Sequence, residues 1–190
     1  MSLLIGVGAT VSSALLPYGN MSDTAKITLI LGGAKSGKTT RALALAEAAA
    51  PERIYIATAQ AFDDEMAAKI AAHQRERGSG WQTIEAPLDL TAVAGQGHAA
   101  VLVDCLTLWL SNLMHHKHDL DLATEAFLGA LSDAPGPMIL VSNEVGMGLV
   151  PETSLGRRFR DAQGRLNQRV AAAADRVEFV AAGLPLVLKG

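Results

Sequence analysis

Residues 32–39 combine glycine, lysine and threonine at a spacing suited to holding phosphate groups. They read Gly-Gly-Ala-Lys-Ser-Gly-Lys-Thr and match the pattern G-x-x-x-x-G-K-[ST]. The glycines let backbone N–H groups face a phosphate, and the helix that follows adds its positive N-terminal end. Lys38 supplies charge for the β- and γ-phosphates, and the Thr39 hydroxyl can bind Mg²⁺. The segment therefore predicts a nucleoside triphosphate site and leaves the reaction open.

Asp104 is the expected partner of this loop in holding a metal ion. A phosphate loop needs a second carboxylate, usually at the end of a neighbouring buried strand, and Asp104 ends the apolar run Val101–Val103. An alternative role is to cap the helix that begins at Leu106. The two roles are compatible, so the sequence predicts a Mg²⁺ site at Thr39 and Asp104.

His73 lies on a predicted helix over Asp63–Arg77. On that helix it shares one face with Met66, Ile70 and Arg77. A neutral imidazole can attack phosphorus and form a phosphoramidate, with the neighbouring cations holding the phosphates. Taken from the residues alone, however, a half-buried core histidine is the favoured interpretation.

Two further groups of polar side chains have more than one interpretation. Segment 115–119 contains three histidines and an aspartate (His115, His116, His118 and Asp119), which favours a solvated loop over a metal site. A helical stripe of arginines, namely Arg158, Arg165 and Arg169, could bind phosphate or form surface ion pairs with Glu152 and Asp161.

The composition excludes several classes of protein. Of the 190 residues, 49% are hydrophobic and 18% charged, too apolar a mixture for a disordered chain. The net charge of −3 argues against a general nucleic-acid-binding protein, which would be broadly basic. The single cysteine, Cys105, excludes an internal disulfide and a cysteine-based zinc site, and it is compatible with a reducing cytoplasm.

The chain divides into an extension, residues 1–25, and one domain, residues 26–190. The extension is expected to be poorly ordered. Its apolar run Leu3–Leu16 is too short for a membrane span. A signal peptide would need a positively charged start, and the first cation of the chain is Lys26.

Strand and helix patterns alternate along the domain. Strands are predicted at Ile27–Leu31, Arg53–Thr58, Trp81–Glu85, Ala99–Asp104, Pro137–Ser142, Val177–Ala181 and Leu184–Leu188. Helices are predicted at Thr39–Ala50, Asp63–Arg77, Leu106–His115, Leu120–Leu131 and Ser154–Ala174. This alternation indicates an α/β fold with a mainly parallel sheet, closed by a C-terminal antiparallel hairpin.

With these features together, the chain resembles the bifunctional adenosylcobinamide kinase/adenosylcobinamide-phosphate guanylyltransferases of cobalamin synthesis. The resemblance runs from about Ile27 to Lys189. Many families share the phosphate loop. The combination is specific, and it consists of ITLILGGAKSGKTTRA, the DDEM helix with its histidine, DCLTLWLSNL and SNEVGMGLVP.

The resemblance implies a three-layer, RecA-like P-loop fold and two reactions. ATP or GTP, with Mg²⁺, phosphorylates the aminopropanol hydroxyl of adenosylcobinamide. GMP is then transferred from GTP to adenosylcobinamide phosphate through a guanylyl-histidine, giving adenosylcobinamide-GDP and pyrophosphate. The position that matches this histidine is His73. Lys38 is the other catalytic residue expected.

The resemblance also implies the nucleotide contacts and the setting of the enzyme. The contacts are Gly32, Gly33, Ala34, Lys35, Ser36, Gly37, Lys38, Thr39, Ala57, Thr58, Ala59, Gln74, Arg75, Glu76, Arg77, Glu85 and Asp104. Gly78 stands where many members have proline, and Asp104 where members can have glutamate. A cytoplasmic homo-oligomer is expected, a trimer by resemblance, with no nucleic-acid partner and no stable membrane span.

Two alternatives differ in class from this interpretation. A P-loop kinase for another small metabolite would have no need of His73 in its helix. A non-catalytic, nucleotide-gated binding module would have no need of Lys38, Thr39 and Asp104 together, and all three are intact.

Overall fold

The computed structural model describes residues 25–59 and 80–190. Its strands are β1 (Ile27–Gly32), β2 (Arg53–Ala57), β3 (Trp81–Glu85), β4 (Ala100–Asp104), β5 (Met138–Asn143), β6 (Arg176–Ala181) and β7 (Leu184–Lys189). Its helices are α1 (Lys38–Ala49), α2 (Leu106–His115), α3 (Leu120–Asp133) and α4 (Ser154–Ala173), with a short 3₁₀ helix at Thr91–Gly95. The predicted helix Asp63–Arg77 and the predicted extension, apart from Ala25, lie outside these residues.

The seven strands form one sheet in the order β3-β2-β4-β5-β1-β6-β7. All neighbours are parallel except β6 and β7, which pair antiparallel. Strands β4 and β5 are continuous apolar runs because both faces of a parallel sheet are covered. The predicted α/β fold and C-terminal hairpin are thus confirmed, and β1 is inserted between β5 and β6.

Alternating side chains of the central strands supply two hydrophobic cores, one on each face of the sheet. On one face Trp109 of α2, Phe127 of α3 and Leu166 of α4 pack together with Leu140 of β5. On the other face α1 packs against the sheet, including Ile139 and Val141 of β5. Helices therefore cover both faces of the sheet. Polar residues such as Asp104 and Asn143 lie at the carboxyl ends of its strands. In the described ranges, no helix is both long and apolar enough to cross a membrane.

A buried ion pair joins α1 to the sheet. Glu178 of β6 is fully buried, and its carboxylate accepts hydrogen bonds from Arg41 of α1 at 2.8 and 2.9 Å and from Arg176 at 2.8 Å. Burial raises the pKa of Glu178, but the hydrogen bonds and positive charges of the two arginines outweigh this effect, and the pKa lies below the ordinary 4.5. The first turn of α1 is thereby tied to β6.

Replacing Glu178 with alanine is expected to lower the free energy of unfolding by about 3–5 kcal/mol at neutral pH, because two largely buried arginines lose their carboxylate. A carboxylate with a lowered pKa stabilises the fold above its unfolded-state pKa, and that stabilisation is lost as the pH falls through the folded-state value. The parent should therefore lose stability below about pH 4.5 more steeply than the variant. Urea unfolding at pH 7 and in acid measures both effects, with the exposed Glu47→Ala on α1 as the control. Identical acid sensitivity in parent and Glu178→Ala would contradict this account.

Candidate active site

The phosphate loop connects the end of β1 to the start of α1, as predicted. A Cβ on Gly32 would collide with the carbonyl oxygen of Val180, and Gly37 has a φ of +98°. Side chains are thus excluded at the first position by a close approach of backbone and disfavoured at the second by its left-handed conformation. The turn between β6 and β7 contacts the phosphate loop, because the Gly183 N–H donates a hydrogen bond to the Ser36 carbonyl at 2.8 Å.

Lys38 is folded into this loop. Its side chain is buried, and Nζ donates to the carbonyl oxygen of Gly33 at 2.5 Å. Burial lowers the pKa of the Lys38 ammonium, and the neighbouring Cys105 and Asp104 oppose that change. The ammonium therefore already lies where the loop would wrap a phosphate group.

Asp104 lies at the end of β4 and faces α1. Its Oδ2 accepts hydrogen bonds from Thr39 Oγ1 at 3.2 Å and from the Tyr55 hydroxyl at 2.9 Å. The alternative role of Asp104 as a helix cap is wrong, because Cys105 occupies the N-cap position of α2 and no side chain caps that helix. A hydroxyl and a carboxylate side by side fit Mg²⁺, which takes few protein ligands and completes its shell with water and substrate phosphates.

The expected contacts on β2 and β3 lie in the same row as Asp104. Ala57 pairs with Asp104 on one side and with Glu85 on the other, so the three residues end adjacent strands. Thr58 is buried, and its hydroxyl both donates to the Cys105 carbonyl and accepts from the Cys105 N–H, each at 2.8 Å. The hydroxyl of Thr58 thus ties β2 to β4, while Glu85 is exposed at the edge.

Cys105, next to Asp104, is not an available nucleophile. Its side chain is buried, and that burial raises the pKa of the thiol to about 11. The thiol is therefore protonated at neutral pH, when only a thiolate would react. Its place in the site is structural, between the end of β4 and the start of α2.

His73 and the four residues after it, Gln74, Arg75, Glu76 and Arg77, lie outside the described residues. Their expected roles remain predictions. The chain leaves the described range at Ala59, two residues beyond the end of β2, and therefore next to the edge that carries Asp104 and Glu85.

The sequence interpretation missed two polar residues at this edge. Asn143 ends β5 and pairs with Gly32, and the N–H of Glu144 donates to the Gly32 carbonyl at 3.0 Å. The signal was available, because Asn143 closes a strand pattern one residue after the apolar run Met138–Val141, much as Asp104 closes the run Val101–Val103. Their closeness to the loop depends on the pairing of β1 with β5, which no local pattern encodes.

The histidine cluster and the arginine stripe lie elsewhere. Asp119 caps α3 by accepting from two backbone N–H groups at 3.0 Å, and within residues 25–59 and 80–190 no three His, Cys, Asp or Glu side chains could together hold a metal. Arg169 forms ion pairs with Asp121, at 3.2 Å, and with Glu125, both on α3. Surface pairing is thus the role of Arg169, with partners different from those expected.

The chain is similar in sequence to a known protein family and to named proteins of that kind. A family model described as cobinamide kinase / cobinamide phosphate guanyltransferase matches residues 28–188. The bifunctional adenosylcobalamin biosynthesis protein CobP of Pseudomonas aeruginosa is 48% identical over 167 residues, which cover 85% of this chain and 96% of that protein. The bifunctional adenosylcobalamin biosynthesis protein CobU of Salmonella typhimurium is 39% identical over 179 residues, covering 85% and 98%.

A solved structure shows the same fold at much lower identity. It is a prototypical ATPase from the type III secretion system of pathogenic bacteria, with a TM-score of 0.50 and 10% identity, covering 85% of this chain and 56% of that one. The likeness shows the fold alone. Because the family model matches residues 28–188 and the two relatives are 48% and 39% identical, this chain belongs to the family of cobinamide kinases / cobinamide phosphate guanyltransferases.

Proposed function

We propose that this chain phosphorylates adenosylcobinamide with ATP or GTP and then transfers GMP from GTP to the phosphate it has made. The main support is that Lys38, Thr39 and Asp104 lie together at one edge of the sheet. The chain also belongs to a family described by these two activities. A binding module would not need this catalytic set. The kinase alternative without guanylyl transfer differs only in what His73 does.

In the first reaction the substrate hydroxyl attacks the γ-phosphorus, and the bond from that phosphorus to the β,γ-bridging oxygen breaks. The loop N–H groups and the Lys38 ammonium stabilise the charge that develops on the phosphate oxygens. Thr39 and Asp104 would hold Mg²⁺, which supplies further positive charge to the β- and γ-phosphates when bound. The ion pair of Arg41 with Glu178 holds the first turn of α1, which carries Lys38 and Thr39, against β6.

In the second reaction a neutral imidazole nitrogen of His73 attacks the α-phosphorus of GTP, and pyrophosphate leaves. The phosphate of adenosylcobinamide phosphate then attacks the same phosphorus, the P–N bond breaks, and the imidazole is released. Support comes from the match of His73 to the guanylylated histidine of the family. Glu85 is suited to accepting guanine N–H groups, because it is an exposed carboxylate in register with Ala57 and Asp104.

Product analysis tests the order of the two reactions. The full chain is incubated with adenosylcobinamide and Mg²⁺, once with GTP and once with ATP, and the corrinoid products are separated over time. We expect GTP to give the phosphate first and then adenosylcobinamide-GDP with pyrophosphate. ATP should stop at the phosphate, since it carries no guanylyl group. Phosphate alone with GTP would indicate the simple kinase, and no product would indicate a binding module.

Two aspects of the setting are proposed on the same basis. We place both reactions in the cytoplasm, where ATP and GTP are made and used. We also expect a homotrimer, as the family resemblance implies, and the exposed leucines of β7, Leu184, Leu186 and Leu188, offer an apolar surface for a second copy. The particle mass in solution tests the assembly, and a monomer at working concentration would contradict it.

A further inference from the structure

Asn143 occupies a position between the phosphate loop and the metal-binding carboxylate. Strand β5 lies between β1 and β4. Asn143 is its last residue and pairs directly with Gly32, whereas Asp104 pairs with Val141, two residues earlier. Because a strand rises about 3.3 Å per residue, Asn143 lies about 7 Å farther along the strand direction than Asp104.

The pleat of β5 places the Asn143 side chain on the same face as the phosphate loop helix. Ile139 and Val141 belong to the core on the α1 side. Ser142 belongs to the opposite face, where its hydroxyl donates to Asn167 of α4 at 2.7 Å. Since successive side chains alternate, Asn143 faces the α1 side, as does Asp104 through its bond with Thr39.

The backbone of Asn143 is held from two directions. Its N–H donates to Thr107 Oγ1 of α2 at 2.8 Å, and its carbonyl accepts from Asn167 Nδ2 of α4 at 3.1 Å. Asn167 is itself buried, and Gln163 Nε2 donates to its Oδ1 at 2.9 Å. Both backbone groups are thereby occupied, and the side-chain amide is presented at a defined place beside the loop.

We propose that the Asn143 side-chain amide donates a hydrogen bond to a γ-phosphate oxygen of the nucleotide in the loop, which makes it a catalytic residue of phosphoryl transfer. A neutral donor suits this place. It stabilises charge on the terminal phosphoryl group without adding a second carboxylate to compete with Asp104 for Mg²⁺. The inference depends on the proposed nucleotide site, and it predicts a contact that distinguishes a triphosphate from a diphosphate.

Equilibrium binding measures that distinction directly. The affinities of the full chain for GDP and for a non-hydrolysable β,γ-imido analogue of GTP are compared in the presence of Mg²⁺. Asn143→Ala should weaken binding of the analogue about 10-fold, the usual effect of losing a hydrogen bond to a charged group, while GDP affinity changes by less than about 2-fold. Asn143→Asp, which keeps the shape, should weaken the analogue further, because a carboxylate would face the γ-phosphate.

Thr124→Ala on α3 provides the control, because it also removes a buried side-chain hydrogen bond, to the Leu120 carbonyl at 2.6 Å, and Thr124 has no part in the contacts that hold Asn143. It should lower stability and leave the ratio of the two affinities unchanged. Kinase turnover of Asn143→Ala should fall about 100-fold. Equal losses for GDP and the analogue, or no loss for either, would overturn the proposal and leave Asn143 a structural residue. Because this readout uses nucleotides alone, it stands even if adenosylcobinamide proves not to be the substrate.

Discussion

Replacing His73 with alanine is expected to abolish covalent labelling by α-labelled GTP and the formation of adenosylcobinamide-GDP, while kinase activity stays measurable. In the proposed mechanism the imidazole nitrogen of His73 is the nucleophile that attacks the α-phosphorus of GTP, and a protonated imidazole is a better leaving group than a lysine amine. Kinase chemistry takes place at the γ-phosphorus and does not use this nitrogen. The variant thus separates the two reactions of one site.

The measurement is retention of the label on denatured protein, followed by its stability to acid and base. A phosphoramidate is labile to acid and stable to base, so the label on the parent should show that behaviour. His118→Ala, an exposed histidine on the surface loop after α2, is the control and should label as the parent does. If His73→Ala still acquires the label or makes the GDP product at the parent rate, then His73 is a packing residue and the guanylyl carrier lies elsewhere.

Replacing Lys38 with alanine should reduce both reactions, in contrast to His73→Ala. The ammonium lies inside the phosphate loop, 2.5 Å from the Gly33 carbonyl, where it can stabilise either the transferring γ-phosphoryl group or the departing pyrophosphate. Removing a positioned donor or charge of this type typically lowers turnover about 10²- to 10³-fold. The fold should survive, because the substitution removes a buried charge and Asp104 keeps its hydrogen bonds from Thr39 and Tyr55.

Two steady-state rates are measured, the formation of adenosylcobinamide phosphate and the release of pyrophosphate. The melting temperature of each protein then separates an effect on chemistry from an effect on stability. Lys26→Ala serves as the control, since Lys26 is exposed and donates to the Ser132 carbonyl at 2.9 Å, away from the phosphate loop. Near-parent kinase rates in Lys38→Ala would remove the loop lysine from the mechanism. Loss of kinase activity with full guanylyl transfer would show that pyrophosphate departs without its help.

Local patterns were enough to identify the described elements that carry the phosphate loop and Asp104. The β-rich run Ile27–Leu31, the glycine and lysine spacing of residues 32–39 and the helical pattern Thr39–Ala50 predicted a strand, a loop and a helix, and the structure has β1, the loop and α1 there. Apolar runs predicted β4 and β5 within one residue at each end. The short 3₁₀ helix at Thr91–Gly95 was not anticipated, since one turn of this kind leaves little periodicity to read.

The sequence by itself determined the chemistry available to this protein, because the phosphate loop and each motif of the family resemblance are short runs of consecutive residues. Tertiary structure alone decided which residues share the site. Asp104 bonds to Thr39, 65 positions earlier, and Asn143 lies beside Gly32 because β5 pairs with β1. The partners of Glu178 include Arg41, 137 positions away. Strand order and register arise from burial of both sheet faces across the whole domain, and a local spacing carries no record of them.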